Sequence, residues 1–88
     1  MDHYEWDEAK NVANRRKHGV GFELVLELDW FAAVVELDER FDYGEPRYRA
    51  FGRLDARAYC IAFTPRGERL RIISIRPMHE KEARSYGI

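Results

Sequence analysis

The sequence predicts one α+β domain with two N-terminal helices, a three- to four-stranded antiparallel sheet and a C-terminal helix. Apolar residues recur every three or four positions before residue 29, extended patterns dominate between residues 47 and 75, and helical spacing returns after Pro77. The chain has 88 residues, 45% of them hydrophobic, which is enough for one small core. We therefore assign residues 1–88 to a single domain.

The first helix is predicted to follow Asp7 and to run to about His18. Aspartate is a favoured N-cap, and Gly19 supplies the left-handed residue on which helices often end. The basic residues before that glycine suit the negative end of the helix dipole. Spacings of three and four predict an inward face made of Ala9, Val12, Ala13 and Arg16.

A second, short helix is predicted over residues 22–28 and is closed by Asp29 and Trp30. Its apolar residues recur at helical spacing. The residues expected to face inward are Phe22, Val25 and Leu26.

Strands are predicted at residues 33–37, 47–54, 57–64 and 69–75. The last three strands are rich in aromatic and β-branched residues or alternate polar with apolar side chains. Their connections, residues 55–56 and 65–68, are short enough to require an antiparallel meander. Pro77 ends the last strand, and a final helix is predicted over residues 78–86. We expect the helices on one face of the sheet and the other face at least partly open.

Composition excludes several classes of protein. The one cysteine, Cys60, cannot form an internal disulfide and is expected to be a small buried residue, and no apolar run follows a basic cluster at the N terminus. The apolar-rich stretches are far shorter than the ~20 residues that a bilayer requires. The three histidines and the cysteine lack zinc-ligand spacing. We expect a cytoplasmic protein with no membrane association, no metal and no cofactor.

Charge is distributed unevenly along a chain whose net charge is only −1. Residues 1–44 contain eleven acidic and five basic residues, which gives −6, and residues 45–88 contain five acidic and ten basic residues, which gives +5. Between Glu45 and Arg76 all eight basic residues are arginines. One end of the molecule is therefore suited to binding an anion.

Alternation along the strand over residues 47–54 places several arginines on one face together with Phe51. Such a face can bind phosphate and stack a base. It can equally be a solvated surface whose arginines pair with acids such as Glu45 and Asp55, and the pattern alone leaves both interpretations open. The arginines are Arg47, Arg49 and Arg53.

Two further arginines occupy positions with functional potential. Arg76 ends an apolar strand immediately before Pro77, where a side chain can be held rigidly at the edge of a cleft, although structural salt bridges are equally common at such positions. Arg66 lies at a predicted hairpin tip, where a loop that contacts a substrate is possible.

Five side chains are considered for a role in proton transfer. Lys17 and His18 offer a cation and a side chain that titrates near neutral pH, although both also suit the C terminus of a helix. Glu45 is expected mainly to balance the charge of neighbouring arginines, which weakens a carboxylate as a base. Glu82 and Tyr86 lie one turn apart and form either a structural hydrogen-bonded pair or a proton-transfer pair, of which the structural role is favoured for Tyr86.

Six groups of short segments follow one another in an order typical of one protein family. They are Tyr4-Glu5-Trp6-Asp7 with Lys10 and Asn14; Lys17-His18-Gly19-Val20 with Phe22; Asp42, Gly44-Glu45 and Arg47; Gly52; Phe63-Thr64-Pro65-Arg66-Gly67; and Arg71-Ile72-Ile73-Ser74 with Arg76, Glu82 and Tyr86. Over nearly the whole chain they resemble the BrnT family, the toxin half of a bacterial type II toxin–antitoxin pair. The sequence departs from the family pattern at Ile75 and at residues 77–79, where a capping residue for the last helix often stands.

The resemblance implies a RelE-like toxin fold and a metal-independent ribonuclease that cleaves RNA and stops translation. It also implies a ribbon-helix-helix antitoxin that neutralises the toxin and carries the DNA-binding surface, so that promoter DNA is bound only through the complex. The family's polar signature falls on Lys17, His18, Glu45, Arg47, Arg66, Arg76, Glu82 and Tyr86.

The reaction expected from this resemblance is attack of a ribose 2′-hydroxyl on the adjacent phosphate, which gives a 2′,3′-cyclic phosphate. His18 would transfer the proton with help from Lys17, and Glu45 is the alternative base. The phosphate would be held by Arg66 and Arg76, and the RNA strand by Arg47, Arg49, Phe51 and Arg53. The alternative functions are a non-catalytic RNA-binding module and a degenerate toxin that binds its antitoxin as a co-repressor.

Overall fold

The computed structural model describes residues 3–88 and shows a five-stranded mixed sheet with helical segments packed against it. The strands are β1 (Tyr4–Glu5), β2 (Val34–Leu37), β3 (Tyr48–Leu54), β4 (Arg57–Arg66) and β5 (Arg69–Pro77). The helices are α1 (Glu8–His18) and α2 (Glu80–Ser85), with 3₁₀ turns at Phe22–Leu26 and Trp30–Ala32. The predicted α+β class is confirmed.

The strands lie in the order β1-β5-β4-β3-β2. Strands β2 to β5 form the predicted antiparallel meander. The predicted strand number and purely antiparallel arrangement are wrong, because β1 adds a parallel pair in which Tyr4 lies opposite Leu70 and Glu5 opposite Arg71. A two-residue strand is too short for alternation to show in the sequence.

The turn between β3 and β4 was predicted from its length and is confirmed. Asp55 and Ala56 both have positive φ angles, 51° and 69°. Two consecutive residues of this kind match the right-handed twist of the flanking strands, as in type I′ hairpins. The hairpin thus sets the register in which Phe51 lies opposite Cys60.

Helix α1 has the predicted ends. Asp7 caps it by accepting a hydrogen bond from the Ala9 N–H at 2.9 Å, and Gly19, with φ of 75°, donates its N–H to the Arg15 carbonyl. The predicted inward face is wrong, because the helix buries Asn11 and Asn14 instead. The four residues expected to face inward are all exposed: Ala9, Val12, Ala13 and Arg16.

The asparagines are buried because α1 packs against backbone groups at the edge of the sheet. The Asn14 amide donates to the Ile75 carbonyl at 2.8 Å and accepts the Ile75 N–H at 3.1 Å, as a neighbouring strand would. It also donates to the Val20 carbonyl at 2.8 Å. Asn11 accepts the Phe22 N–H at 2.8 Å. Because unpaired buried backbone groups are costly, amide side chains stabilise this contact better than apolar ones.

The segment after α1 is a 3₁₀ turn rather than an α-helix. Phe22 and Val25 are buried as predicted, but Leu26 is 44% exposed and Leu24 and Leu28 are buried. A 3₁₀ turn repeats every three residues, which brings residues 22, 25 and 28 to the same side.

One face of the sheet carries the main apolar core, and we call it the core face. Residues of β3, β4 and β5 pack there against the 3₁₀ segment, with Trp6, Val20 and Trp30 at the margin. The buried residues of this cluster are Phe22, Leu24, Val25, Leu28, Ala50, Ile61, Phe63, Ile72 and Ile75.

Helix α2 covers part of the opposite face, so the expectation that all helices lie on one face is wrong. Ala83 is fully buried in a second cluster with Phe51, Ala58, Cys60 and Met78. Helix α2 begins at Glu80 rather than at Met78, because Met78 still donates to the Ala58 carbonyl and prolongs the β5 ladder. His79 occupies the N-cap position without a side-chain capping bond. This agrees with the departure from the family pattern at residues 77–79, where a capping residue often stands.

Candidate functional site

Arginines from three neighbouring strands project from the face of the sheet that α2 partly covers, and we call it the arginine face. The strand register places Arg49 opposite Ala62, and Ala62 opposite Ser74. Residues directly opposite each other in antiparallel strands share a face, and alternate residues along a strand do too. The arginines on this face are Arg47, Arg49, Arg53, Arg66, Arg69, Arg71 and Arg76.

A strip of small side chains runs between the arginines of β3 and those of β5. Ala62 and Thr64 lie on β4, and Ser74 lies on β5. Thr64 is buried and donates its hydroxyl to the Pro46 carbonyl. The long guanidinium side chains therefore stand on both sides of a low central strip, an arrangement suited to an extended polyanion.

Arg76 is held by two hydrogen bonds to one carboxylate. Its Nη1 donates to Glu82 Oε1 at 3.0 Å and its Nη2 donates to Glu82 Oε2 at 2.7 Å. These bonds hold the pKa of Glu82 below its usual value. Glu82 is on α2, so the helix fixes the direction of the Arg76 guanidinium. The structural alternative considered for Glu82 was a hydrogen bond with Tyr86, whereas its carboxylate binds Arg76.

Carboxylates also pair with four other arginines of this face. Glu80 binds Arg53 through two bonds, of 2.8 and 3.0 Å, which lower the pKa of Glu80. Asp55, which the sequence suggested as a partner, is not in this set. The remaining pairs are Arg49 with Glu36 at 2.6 Å, Arg71 with Glu5 at 2.7 Å and Arg66 with Glu45 at 3.4 Å.

Arg47 differs from the paired arginines. Its guanidinium lies 3.8 Å from the centre of the Tyr43 ring, a cation–π contact, and it makes no salt bridge within residues 3–88. Its buried Nε atom has no hydrogen-bond partner, and the same holds for Arg49. Buried donors without partners are costly, and an acceptor such as a phosphate oxygen would satisfy them.

Tyr43 is itself positioned by a buried carboxylate that the sequence did not single out. Tyr43 donates its hydroxyl to Asp38 Oδ2 at 3.1 Å, and Arg40 donates to both Asp38 oxygens at 2.8 Å. These bonds, those from Arg40 above all, hold the pKa of Asp38 far below its usual value. The signal available in the sequence was an aspartate and an arginine two positions apart, followed by aromatic residues.

Phe51 is on the arginine face, but its ring is fully buried. Tyr86 stacks on it with the ring centroids 3.8 Å apart and the planes 12° from parallel. Phe51 therefore supports Tyr86 and offers no free face for stacking a base. Tyr86 is half-buried and is the aromatic ring at this position that remains partly accessible.

Lys17 and His18 lie in the last turn of α1, with Lys17 exposed and His18 half-buried. Asn14, one turn earlier, is bound to Ile75, the residue immediately before Arg76. The C-terminal turn of α1 is therefore at the same end of β5 as Arg76. The structure thus brings this corner of α1 to the Arg76 end of the sheet.

Arg66 and Glu45 lie at the other end of the sheet, near the β4–β5 hairpin. Arg76 is opposite Cys60, and Arg66 lies six positions beyond Cys60 along β4, which is about 20 Å of strand. The expectation that Arg66 and Arg76 hold one phosphate together is therefore corrected. The two arginines contact different parts of any ligand that lies along this face.

Cys60 is buried beneath α2, as predicted, and burial raises the pKa of its thiol. Within residues 3–88, no three histidine, cysteine, aspartate or glutamate side chains are grouped closely enough to hold a metal ion. The same residues include no helix that is long and apolar enough to span a membrane.

Comparison with known proteins places the chain in a family. No curated protein gives a significant match. A scan against protein-family profiles matches residues 6–82 to the family described as the ribonuclease toxin BrnT of a type II toxin–antitoxin system. The match spans α1, strands β2 to β5 and the start of α2, including Arg76 and Glu82. The chain belongs to the BrnT family of type II toxin–antitoxin ribonuclease toxins.

Proposed function

We propose that the protein is a metal-independent endoribonuclease that binds single-stranded RNA along the arginine face and cleaves it at the Arg76 end. The observation that carries the proposal is the Arg76 guanidinium, which two bonds to Glu82 hold at the end of an arginine-lined strip. A fixed cation is suited to stabilising the charge that develops on a phosphate during cleavage. Cleavage of cellular RNA stops translation, and the proposed site of action is the cytoplasm.

The proposed reaction is an in-line displacement at phosphorus. The ribose 2′-oxygen attacks the adjacent phosphate and gives its proton to a base. The bond from phosphorus to the 5′-oxygen breaks, and the leaving oxygen takes up a proton. The products carry a 2′,3′-cyclic phosphate and a 5′-hydroxyl. Arg76 is proposed to hold the reacting phosphate, with Glu82 and Tyr86 supporting it from α2.

We assign proton transfer to His18, with Lys17 as an additional cation. Both residues lie on the turn of α1 that follows the Asn14 contact with β5, beside the Arg76 end of the sheet. Glu45 is the less favoured base because it is paired with Arg66 near the hairpin, about 20 Å along β4 from the residue opposite Arg76.

The arginines away from Arg76 are proposed to hold the RNA strand on both sides of the scissile phosphate. Arg47 and Arg49 each have a buried Nε without a partner, which a phosphate oxygen would satisfy. Arg53, opposite Ala58, lies at the Arg76 end of this face, and Arg66 lies at the hairpin end. This proposal omits Phe51 as a stacking residue, because Tyr86 already covers its ring.

One observation favours the alternative of a non-catalytic RNA-binding or antitoxin-binding module. Most arginines of this face are already paired with a carboxylate, which is what a purely solvated or protein-binding surface would show. RNA binding then requires exchange of carboxylate for phosphate at each position.

Incubation of the purified protein with a labelled single-stranded RNA in the presence of EDTA separates the two functions. The proposal predicts cleavage with 2′,3′-cyclic phosphate ends, identified by mass spectrometry, and much slower cleavage by the Arg76→Ala variant. RNA that stays intact under conditions where the protein binds it contradicts the nuclease proposal and favours the binding module.

The partner proposed here is a ribbon-helix-helix antitoxin that neutralises the ribonuclease and carries the DNA-binding surface. The neighbouring reading frame in the genome is the first place to examine. Its product, co-expressed with this chain, is expected to form a stable complex that binds promoter DNA and lacks ribonuclease activity. A complex that remains toxic to growing bacteria contradicts this assignment.

A further inference from the structure

The edge of the sheet formed by β2 is open. The Asp38 N–H donates to the Arg47 carbonyl at 2.7 Å, in register with the β2–β3 ladder. Hydrogen-bonded and non-hydrogen-bonded pairs alternate in an antiparallel ladder, so Val34 and Glu36 also direct their backbone groups to β3. Val35 and Leu37 therefore direct their N–H and carbonyl groups outward, away from the sheet.

The opposite side of the sheet, along β5, is covered near both of its ends. There β1 pairs with the beginning of β5, and the Asn14 amide satisfies both backbone groups of Ile75. Proteins usually protect an open edge with lysine, proline, a bulge or a covering segment. Strand β2 has none of these, and its charged residue, Glu36, is bound to Arg49 of the neighbouring strand.

Apolar side chains surround the open edge. Val35 and Leu37 are 49% and 47% exposed, and Val34 is 36% exposed. Phe31 and Phe41 flank the two ends of the strand and are also exposed. Outward backbone groups combined with exposed apolar side chains are the features that an added strand requires.

The charge around this edge specifies the kind of segment that fits it. Residues 27–45 contain seven acidic residues and one basic residue, Arg40; Arg49 and Arg66 pair with two of the acids, Glu36 and Glu45, which leaves a charge of −4. Pairing with a second copy of β2 would bring two negatively charged segments together. An extended segment with apolar side chains matches the exposed apolar residues of this edge, and lysine or arginine in that segment matches its negative charge.

We infer that the β2 edge binds an extended, apolar and basic segment of the antitoxin, which adds to the sheet as a sixth strand next to β2. The inference rests on the proposed function, because it names the surface through which the antitoxin is recognised. In the complex, Val35 and Leu37 donate to and accept from the antitoxin backbone, and Phe31 and Phe41 cover its apolar side chains.

Amide hydrogen exchange followed by NMR tests the inference on the unmodified proteins. In the free toxin, the Val35 and Leu37 amides exchange rapidly, whereas the Val34 and Glu36 amides are protected by β3. In the complex with the antitoxin encoded beside it, the Val35 and Leu37 amides become at least ~100-fold more protected, as expected for hydrogen bonds in a stable ladder. The Val34 and Glu36 amides serve as internal controls.

A pair of lysine substitutions provides a second measurement. Val35→Lys with Leu37→Lys places two positive charges where the basic segment binds, and is expected to raise the dissociation constant by about 100-fold. Val12→Lys with Leu26→Lys, at apolar residues of comparable exposure elsewhere, is expected to change it less than about threefold. The ribonuclease activity of both free variants stays within about twofold of that of the original chain.

Three results overturn the inference. Tight antitoxin binding that neutralises the ribonuclease while Val35 and Leu37 stay unprotected assigns the antitoxin to another surface and leaves the proposed function standing. Protection that rises with the concentration of toxin alone, together with a dimeric mass, identifies a second copy of this chain as the occupant. Absence of any antitoxin binding removes both the inference and the partner proposed above.

Discussion

The two faces of the sheet are stabilised in different ways. The core face joins β3, β4 and β5 to the 3₁₀ segment through fully buried residues such as Phe22 and Ile61. The arginine face is covered by α2 at one end and elsewhere carries arginine–carboxylate pairs that reach solvent. Apolar burial contributes about 2 kcal/mol for each large side chain, whereas exposed ion pairs contribute less than about 1 kcal/mol. Stability therefore resides mainly on one face, and the other can change its contacts at small cost.

The largest expected effect concerns the contact that fastens α1 beside the core face. Asn14→Ala removes three hydrogen bonds and leaves the Ile75 backbone groups without partners. We expect the free energy of unfolding to fall by about 3 kcal/mol, measured by urea denaturation. The control is Val12→Ala on the exposed side of α1, with a change within about 0.5 kcal/mol. Equal stability of the two variants would contradict the assigned role of Asn14.

The second effect separates activity from stability on the arginine face. Arg76→Ala is expected to lower the rate of RNA cleavage by about 100-fold, because a fixed cation at the reacting phosphate is lost. The free energy of unfolding should change by less than about 1 kcal/mol, since Arg76 and Glu82 are both partly exposed. The matched control is Arg57→Ala at the exposed start of β4, which should cleave normally. Full activity of Arg76→Ala removes Arg76 from the proposed site.

A smaller effect is expected at Arg47, the arginine held over a tyrosine ring rather than by a carboxylate. With Arg47→Ala, RNA affinity should decline less steeply as the salt concentration increases. The slope should change by the equivalent of about one phosphate contact. Fluorescence anisotropy at several salt concentrations measures this slope with a short labelled RNA. Asp38→Asn weakens the support of Tyr43 and is expected to lower RNA affinity, as Arg47→Ala does, but by less. An unchanged slope for Arg47→Ala places the RNA elsewhere.

The smallest effect is a pH dependence of stability. Bonds from Arg76 hold the pKa of Glu82 in the folded protein below its usual value of 4.5. Its contribution is therefore complete above that value and is lost as the pH falls through the lowered pKa. Glu82→Gln should remove about 0.5 kcal/mol at pH 7 and less at pH 3, measured by urea denaturation at both pH values. A difference between the two proteins that grows toward acid pH would contradict the direction of the shift.

Strand positions were predictable from the sequence because they depend on local patterns. The alternation over residues 47–54 and the Asp55-Ala56 turn predicted the β3–β4 hairpin, and Pro77 predicted the end of β5. Strand β1 was not predictable, since two residues carry no periodicity and its partner in β5 is remote in sequence.

The inward face of α1 was predicted wrongly for a physical reason. Spacing rules assume that a helix packs on apolar side chains, whereas α1 packs on backbone groups that require amides. Two asparagines three residues apart in a helix, where asparagine is unfavourable, were the available signal.

For the candidate site, alternation correctly placed Arg47, Arg49 and Arg53 on one face, and the pairing of Glu45 with an arginine is observed. The separation of Arg66 from Arg76 follows from the predicted hairpin, because Arg66 lies at its turn and Arg76 at the far end of β5. The burial of Phe51 was not predictable, because it depends on how α2 packs. The catalytic roles remain predictions.

The bonds between Asn14 and Ile75 join residues 61 positions apart in the chain. At a synthesis rate of 5–20 residues per second, about 3 to 12 s separate the appearance of these two residues during translation. Helix α1 therefore cannot dock until β5 has been made, and closing so long a loop is a slow step of folding. Arg76 is the residue added directly after Ile75, so a chain whose synthesis stops early lacks both the closed fold and the proposed catalytic arginine.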